Sequence, residues 1–182
     1  MYQDVIIAGF GGQGVMLIGN LLAYAAMEEG LNVTYMPVYG VEMRGGTANC
    51  TVVISDEEIG SPIIFYPRSL IVMNQPSLDK FHPRLEKDGI IIINSSIVSK
   101  EMVKEERGHI FYVPANDIAD EIGNIKMANM VALGAWLGAT DSISLDSVYK
   151  QLPEVLSSSD PTLLEKNKEA LLKGVEYVKH AT

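Results

Sequence analysis

The run Ile90-Ile91-Ile92-Ile93 has no polar face, so as a strand it fits only where both sides of a sheet are covered. A half-buried strand would alternate, and a surface helix would show a polar stripe. Such a strand belongs near the centre of a sheet with helices on both faces. The rest of the chain supplies the helices, because short β-rich apolar runs alternate with helix-like segments along its length. The expected fold is an α/β, three-layer α/β/α sandwich around a mostly parallel, Rossmann-like sheet, formed by residues 1–182 as a single domain. With 182 residues, 47% of them hydrophobic, the chain can bury roughly 70% of its unfolded surface without covalent staples.

The pattern predicts strands at Asp4–Ala8, Asn32–Pro37, Asn49–Ser55, Ser69–Met73, Gly89–Asn94 and His109–Val113. Helices are predicted at Gln13–Glu29, Pro76–Leu85, Ala115–Ile122, Lys126–Ala139, Leu145–Leu152 and Pro161–His180. The last has the clearest start, with Asp160 as N-cap and Pro161 in the first turn. Met127–Leu137 is apolar nearly all round and reads as a deeply buried helix, or as one that also contacts another chain. Lys100–Arg107 reads as a solvated helix face, and Leu156–Asp160 as an exposed hinge.

Charge excludes several classes of function. There are 23 Asp+Glu against 14 Lys+Arg, a net charge of -9, and no basic side chain before Arg44. Nucleic-acid binding is not expected, since phosphate backbones are held mainly by Lys and Arg. A secretory signal would need a positive start, and the apolar run Val15–Met27 is broken by Gly19 and Asn20 before it could span a bilayer. A soluble protein of the cytoplasm, without membrane contact, is the expectation. With Cys50 as the only cysteine, the chain cannot form its own disulfide, all-cysteine zinc site or iron–sulfur cluster.

Two stretches could carry chemistry. Gly9-Phe10-Gly11-Gly12-Gln13-Gly14 is a GxGxxG that follows a strand and opens a helix, where backbone N–H groups and the helix dipole favour a phosphate. The same glycines could instead serve only to let the first helix cross close to the sheet. A dinucleotide site also wants an acid at the end of the second strand, and that place reads Tyr35-Met36-Pro37. No Lys-Ser/Thr closes the glycine run, which excludes a P-loop. The second stretch runs from Tyr39 and Gly40 through Val41, Glu42, Met43, Arg44, Gly45 and Gly46 into Thr47-Ala48-Asn49-Cys50. Arg44 could grip a carboxylate or phosphate bidentately with Glu42 orienting it, or the two could form a surface ion pair in a solvated turn. The order of elements places this loop at the same carboxyl edge of the sheet as the glycine turn, where ligands of open α/β sheets collect. His82, His109 and His180 lack ligand spacing, so no metal site is expected, and Cys50 reads as a buried small hydrophobe.

Taken together, GFGGQG, YGVEMRGGTANCTVVIS and the Ile59-Gly60-Ser61-Pro62 turn resemble the gamma subunit of 2-oxoacid:ferredoxin oxidoreductases, over nearly the whole chain. The resemblance implies one subunit of an enzyme that oxidatively decarboxylates a 2-oxoacid with coenzyme A and passes electrons to ferredoxin. It implies alpha and beta subunits as partners, with a delta subunit as an optional fourth. Thiamine diphosphate, its magnesium and the iron–sulfur clusters would sit in those other subunits, and the isolated chain would be inactive. It points to 2-oxoglutarate or a branched-chain 2-oxoacid rather than pyruvate, with 2-oxoglutarate preferred. Gly9, Gly11, Gly12, Gln13 and Gly14, with Tyr39, Gly40, Arg44, Gly45 and Gly46, are the expected contact residues near coenzyme A or a partner, and Glu42 accompanies Arg44 at the shared active site. The alternatives are a stand-alone NAD(P)-binding oxidoreductase and a purely structural interaction module.

Overall fold

In the computed structural model, residues 1–39, 47–104 and 107–181 are described. The expected strands and helices are present, with shifted ends. The strands are β1 (Tyr2–Phe10), β2 (Asn32–Tyr39), β3 (Thr47–Ser55), β4 (Ser69–Val72), β5 (Ile90–Asn94) and β6 (His109–Val113). The helices are α1 (Val15–Glu28), α2 (Gln75–Phe81), α3 (Ala115–Glu121), α4 (Ala128–Thr140), α5 (Leu145–Val155) and α6 (Pro161–Ala181). The predicted helix Pro76–Leu85 stops at Phe81 and continues as a 3-10 turn, His82–Arg84, because Pro83 has no N–H to donate. Lys126–Ala139 likewise opens with a 3-10 turn, Ile125–Met127, before α4. Lys100–Arg107 corrects an expectation: its described part is a 3-10 turn, Lys100–Met102, rather than a helix.

The six strands form one sheet in the order β2-β3-β1-β4-β5-β6. β1, β4, β5 and β6 are parallel, with Val5 opposite Ser69, Ser69 opposite Ile90 and Ile90 opposite His109. β3 runs antiparallel between β1 and β2. The polyisoleucine strand β5 lies between β4 and β6, as its apolar run demands.

Alternate residues of β1 divide the core. Val5 and Ile7 pack with α1, α3, α4, α5 and α6, whereas Ile6 and Ala8 pack with Leu78 and Phe81 of α2 and with Leu85 and Val98. One helical layer is thus thick and the other is little more than α2. In α4, Ala128 to Leu137 are all buried, which favours the core reading of that apolar helix. Its fit against α6 is backbone to backbone: a Cβ on Gly134 would stand 2.0 Å from the Leu171 carbonyl oxygen, and one on Gly174 2.1 Å from that of Val131. α4 is also fastened to the sheet by a buried relay, in which the Trp136 indole N–H donates to Ser69 Oγ at 2.8 Å and that hydroxyl donates to the Asp4 carbonyl at 2.5 Å. No helix among the described residues is long and apolar enough to cross a membrane.

Candidate functional site

β1 ends at Phe10, and the chain reverses into α1 through Gly11 to Gly14. Gly14 is the N-cap of α1 at φ 72°, with no side-chain cap and no acid in the first turn. A Cβ there would also meet Asn129 Nδ2 at 2.3 Å, so both conformation and space require glycine. Gly9 is excluded from substitution by crowding instead, with Gln13 Oε1 2.6 Å from where its Cβ would be.

The Gln13 side chain is the brace of this turn. Its Oε1 accepts from the Phe10 N–H at 2.7 Å and from Asn74 Nδ2 at 3.1 Å, while its Nε2 donates to the Met73 carbonyl at 3.1 Å. Asn74 is itself buried and caps α2 by accepting the Ser77 N–H at 2.9 Å. From the other side Asn129 of α4 donates to the Gly14 carbonyl at 3.2 Å. The turn is therefore held rigid by β4, α2 and α4 together, with Gly11 and Gly12 exposed at its tip.

Two clefts open on either side of it. The larger, about 680 Å³, is bounded by Gly11, Gly12 and Gly14, the first turn of α1, Asn20, Tyr35 of β2 and Val155 of α5. The smaller, about 210 Å³, is lined by Gly12, Gln13, Asn116, Lys126 and Asn129, which gives it one cation and several amides. Asn94, at the end of β5, donates to Asn116 Oδ1 at 2.8 Å, so asparagines from β5, the N-cap of α2, α3 and α4 line the carboxyl edge. Asn74, Asn94, Asn116, Asn129 and Lys126 were not among the expected site residues. Their only local signal is that the apolar runs of β4 and β5 each stop at an asparagine.

The second expected stretch is only partly in view. Tyr39 ends β2 opposite Ala48, and Thr47 begins β3 opposite Phe10. Both stems therefore stand at the carboxyl edge beside the glycine turn. Gly40, Glu42, Arg44, Gly45 and Gly46 lie outside the described residues.

The insertion of β3 bears directly on nucleotide binding. In a dinucleotide-binding domain the acid that holds the ribose ends the strand next to β1. Here the neighbour is the antiparallel β3, which displaces β2 by one interstrand spacing, about 4.8 Å, and β2 has Tyr35-Met36-Pro37 where the acid would be. Cys50 of β3 is fully buried beneath the start of α1, donates to the Val15 carbonyl at 3.5 Å, and has its thiol pushed up to about 12 by burial. His82 is also buried, bonded to the Arg107 carbonyl at 2.9 Å, while His109 and His180 are exposed and apart. No group of three His, Cys, Asp or Glu placed to hold a metal ion occurs among the described residues.

Residues 4–177 match the family described as pyruvate ferredoxin/flavodoxin oxidoreductase. The chain belongs to that family. It is 35% identical over 175 residues to ketoisovalerate oxidoreductase subunit VorA of Methanothermobacter marburgensis, covering 96% of this chain and 36% of VorA. It is 33% identical over 183 residues to 2-oxoglutarate synthase subunit KorC of Methanocaldococcus jannaschii, covering 98% of this chain and 95% of KorC. The crystal structure of the keto/oxoacid ferredoxin oxidoreductase gamma subunit from Geobacter sulfurreducens superposes with a TM-score of 0.82 at 28% identity, over 98% of this chain and 99% of that one. The chain thus spans about a third of VorA but nearly all of KorC and of the Geobacter subunit.

Proposed function

We propose that this chain is the gamma subunit of a 2-oxoacid:ferredoxin oxidoreductase that acts on 2-oxoglutarate. The observation that carries the reading is the end-to-end match to KorC as a separate chain, 98% of one and 95% of the other. In this reading the adjoining alpha and beta subunits hold thiamine diphosphate, magnesium and the iron–sulfur clusters, and supply the chemistry of decarboxylation and electron transfer to ferredoxin. The residues of this chain do not fit a cluster of their own, since Cys50 is its single cysteine and its buried thiol resists ionisation.

What the chain contributes is a preformed wall. The turn braced by Gln13 offers the unshielded backbone of Gly11 and Gly12 and an uncapped helix start with no acid in its first turn, an arrangement that tolerates negative charge at close range. Arg44, between stems fixed beside that turn, adds the charge that binds an anionic group of coenzyme A or a partner carboxylate at the shared active site, with Glu42 orienting it.

The test is oxoacid-dependent viologen reduction by the assembled enzyme with coenzyme A, comparing 2-oxoglutarate, ketoisovalerate and pyruvate. Turnover is expected to be highest with 2-oxoglutarate, and Arg44→Ala is expected to lower it about tenfold or more while the melting midpoint of the isolated chain stays within ~2 °C of wild type. Higher turnover with another oxoacid overturns the substrate, and an unfolded Arg44→Ala chain makes the loop structural.

A further inference from the structure

The helices that leave β1 and β4 go to opposite faces of the sheet. α1 packs on the side of Val5 and Ile7, and α2 on the side of Ile6 and Ala8. β1 leads toward β2 and β3 at one edge, and β4 toward β5 and β6 at the other. The carboxyl ends of β1 and β4 therefore flank the point where the winding reverses, the crevice in which open α/β sheets ordinarily take a ligand. In this chain the crevice is filled from within. The Met73 N–H, just beyond β4, donates to the Ala8 carbonyl at 2.9 Å, and the Gln13 carboxamide spans the same two strand ends, from Phe10 to Met73 and Asn74. A Cβ on Gly9 would stand 2.6 Å from Gln13 Oε1 and 3.0 Å from Met73 Cβ, so the space between the strand ends is already taken.

Gln13 also grips Phe10 twice. Its backbone N–H donates to the Phe10 carbonyl at 3.1 Å, and its Oε1 accepts the Phe10 N–H at 2.7 Å, which closes a ring around Gly11 and Gly12. The two glycines have no side chains with which to hold their place. Gly12, at φ 101°, has no atom beyond its chain neighbours within 4 Å of where a Cβ would be, and it borders both clefts as the ridge between them. The position of that ridge is thus set from behind. With Oε1 accepting twice and Nε2 donating to Met73, the carboxamide has little left for a ligand, and its influence runs through the backbone of the tip.

We propose that Gln13 is a positioning residue for coenzyme A in the assembled oxidoreductase. It touches no ligand; by closing the Gly11–Gly12 tip and tying it to the end of β4, it presets the wall on which an anionic group of coenzyme A rests. A tip released from this brace would have to be ordered at each binding event, which weakens binding of coenzyme A and leaves the oxoacid, bound by the adjoining subunits, unaffected. This inference rests on the subunit reading above.

The test is steady-state turnover of the enzyme reconstituted from this chain and its adjoining subunits, with coenzyme A and the preferred 2-oxoacid varied separately. Wild type is compared with Gln13→Glu, Gln13→Met and Asn74→Asp. Gln13→Glu keeps the acceptor for Phe10 and Asn74 but sets an oxygen against the Met73 carbonyl, whereas Gln13→Met keeps the volume and loses every side-chain bond. Asn74→Asp keeps the acceptor that caps α2 and loses the donor to Gln13. Both Gln13 variants are expected to raise KM for coenzyme A about tenfold or more, with kcat and KM for the oxoacid within about twofold of wild type. Asn74→Asp is expected to raise KM for coenzyme A by a smaller factor. An unchanged KM for coenzyme A in both Gln13 variants overturns the assignment. So does a joint change in kcat and both KM values that tracks a lowered melting midpoint, since that marks a residue that only holds the fold, and so does loss of assembly in all three variants. A wild-type chain that restores no coenzyme A-dependent turnover overturns the subunit reading and this inference with it, before any substitution is compared.

Discussion

Ser69 receives the Trp136 indole N–H and donates its own proton to the Asp4 carbonyl, so one hydroxyl satisfies two buried groups on different layers. Ser69→Ala removes both bonds at once and strands a donor in the core, and is expected to cost about 1–3 kcal/mol in urea unfolding. Asp4 makes a different prediction. Its carboxylate is buried in β1, and desolvation holds its pKa above the ordinary value despite a hydrogen bond from the Arg68 N–H at 2.7 Å. A raised folded-state pKa means that the native chain binds the proton more tightly than the unfolded one, so this contribution to stability is complete below the ordinary carboxylate value and is lost as pH rises through the folded pKa. Asp4→Asn keeps an oxygen for the Arg68 N–H without the charge, and is expected to flatten the fall in stability on the acidic side of neutrality and to raise the midpoint at pH 8. Denaturant midpoints across pH check both. Neither residue stood out in the sequence, because their partners lie |i−j| = 64 to 67 away and local patterns carry no sign of them.

At the scale of elements, the apolar runs located β1, β3, β4 and β5 because strands buried on both faces admit few polar residues, whereas the edge strands β2 and β6 are only partly buried. Direction was less legible. An unbroken run of buried residues in β3 says that the strand is central and nothing about which way it points, although the signal existed: only Gly40–Gly46 separates β2 from β3, too short for a parallel crossover. The glycine turn was legible as a motif, but the inward role of Gln13 depends on Met73 and Asn74, which come from another element. Glycines in different elements are expected to fail differently. Gly12→Ala has open space but φ 101°, and should cost about 1–2 kcal/mol of backbone strain. Gly134→Ala pushes a methyl group into the Leu171 backbone and forces α4 from α6, a larger loss, read as a melting midpoint lower than that of Gly12→Ala.

For the whole molecule, the two ends of the sheet differ in kind. The carboxyl edge carries a rigid glycine turn, two clefts and a row of amides, while the amino edge carries exposed aromatic side chains on a backbone clamped by Arg84. The exposure of Ile63, Phe65 and Tyr66 was hidden in the sequence, because Ile63-Ile64-Phe65-Tyr66 reads like any short core segment until the fold leaves it outside. The central claim is membership in a larger enzyme, and the most direct measurement is anaerobic affinity purification of the tagged chain from its native cells, with the co-purifying chains identified and their thiamine diphosphate and iron determined. The account predicts stoichiometric partner subunits carrying both, with 2-oxoglutarate-dependent viologen reduction. A chain that emerges alone and inert, under conditions that preserve complexes, would contradict it.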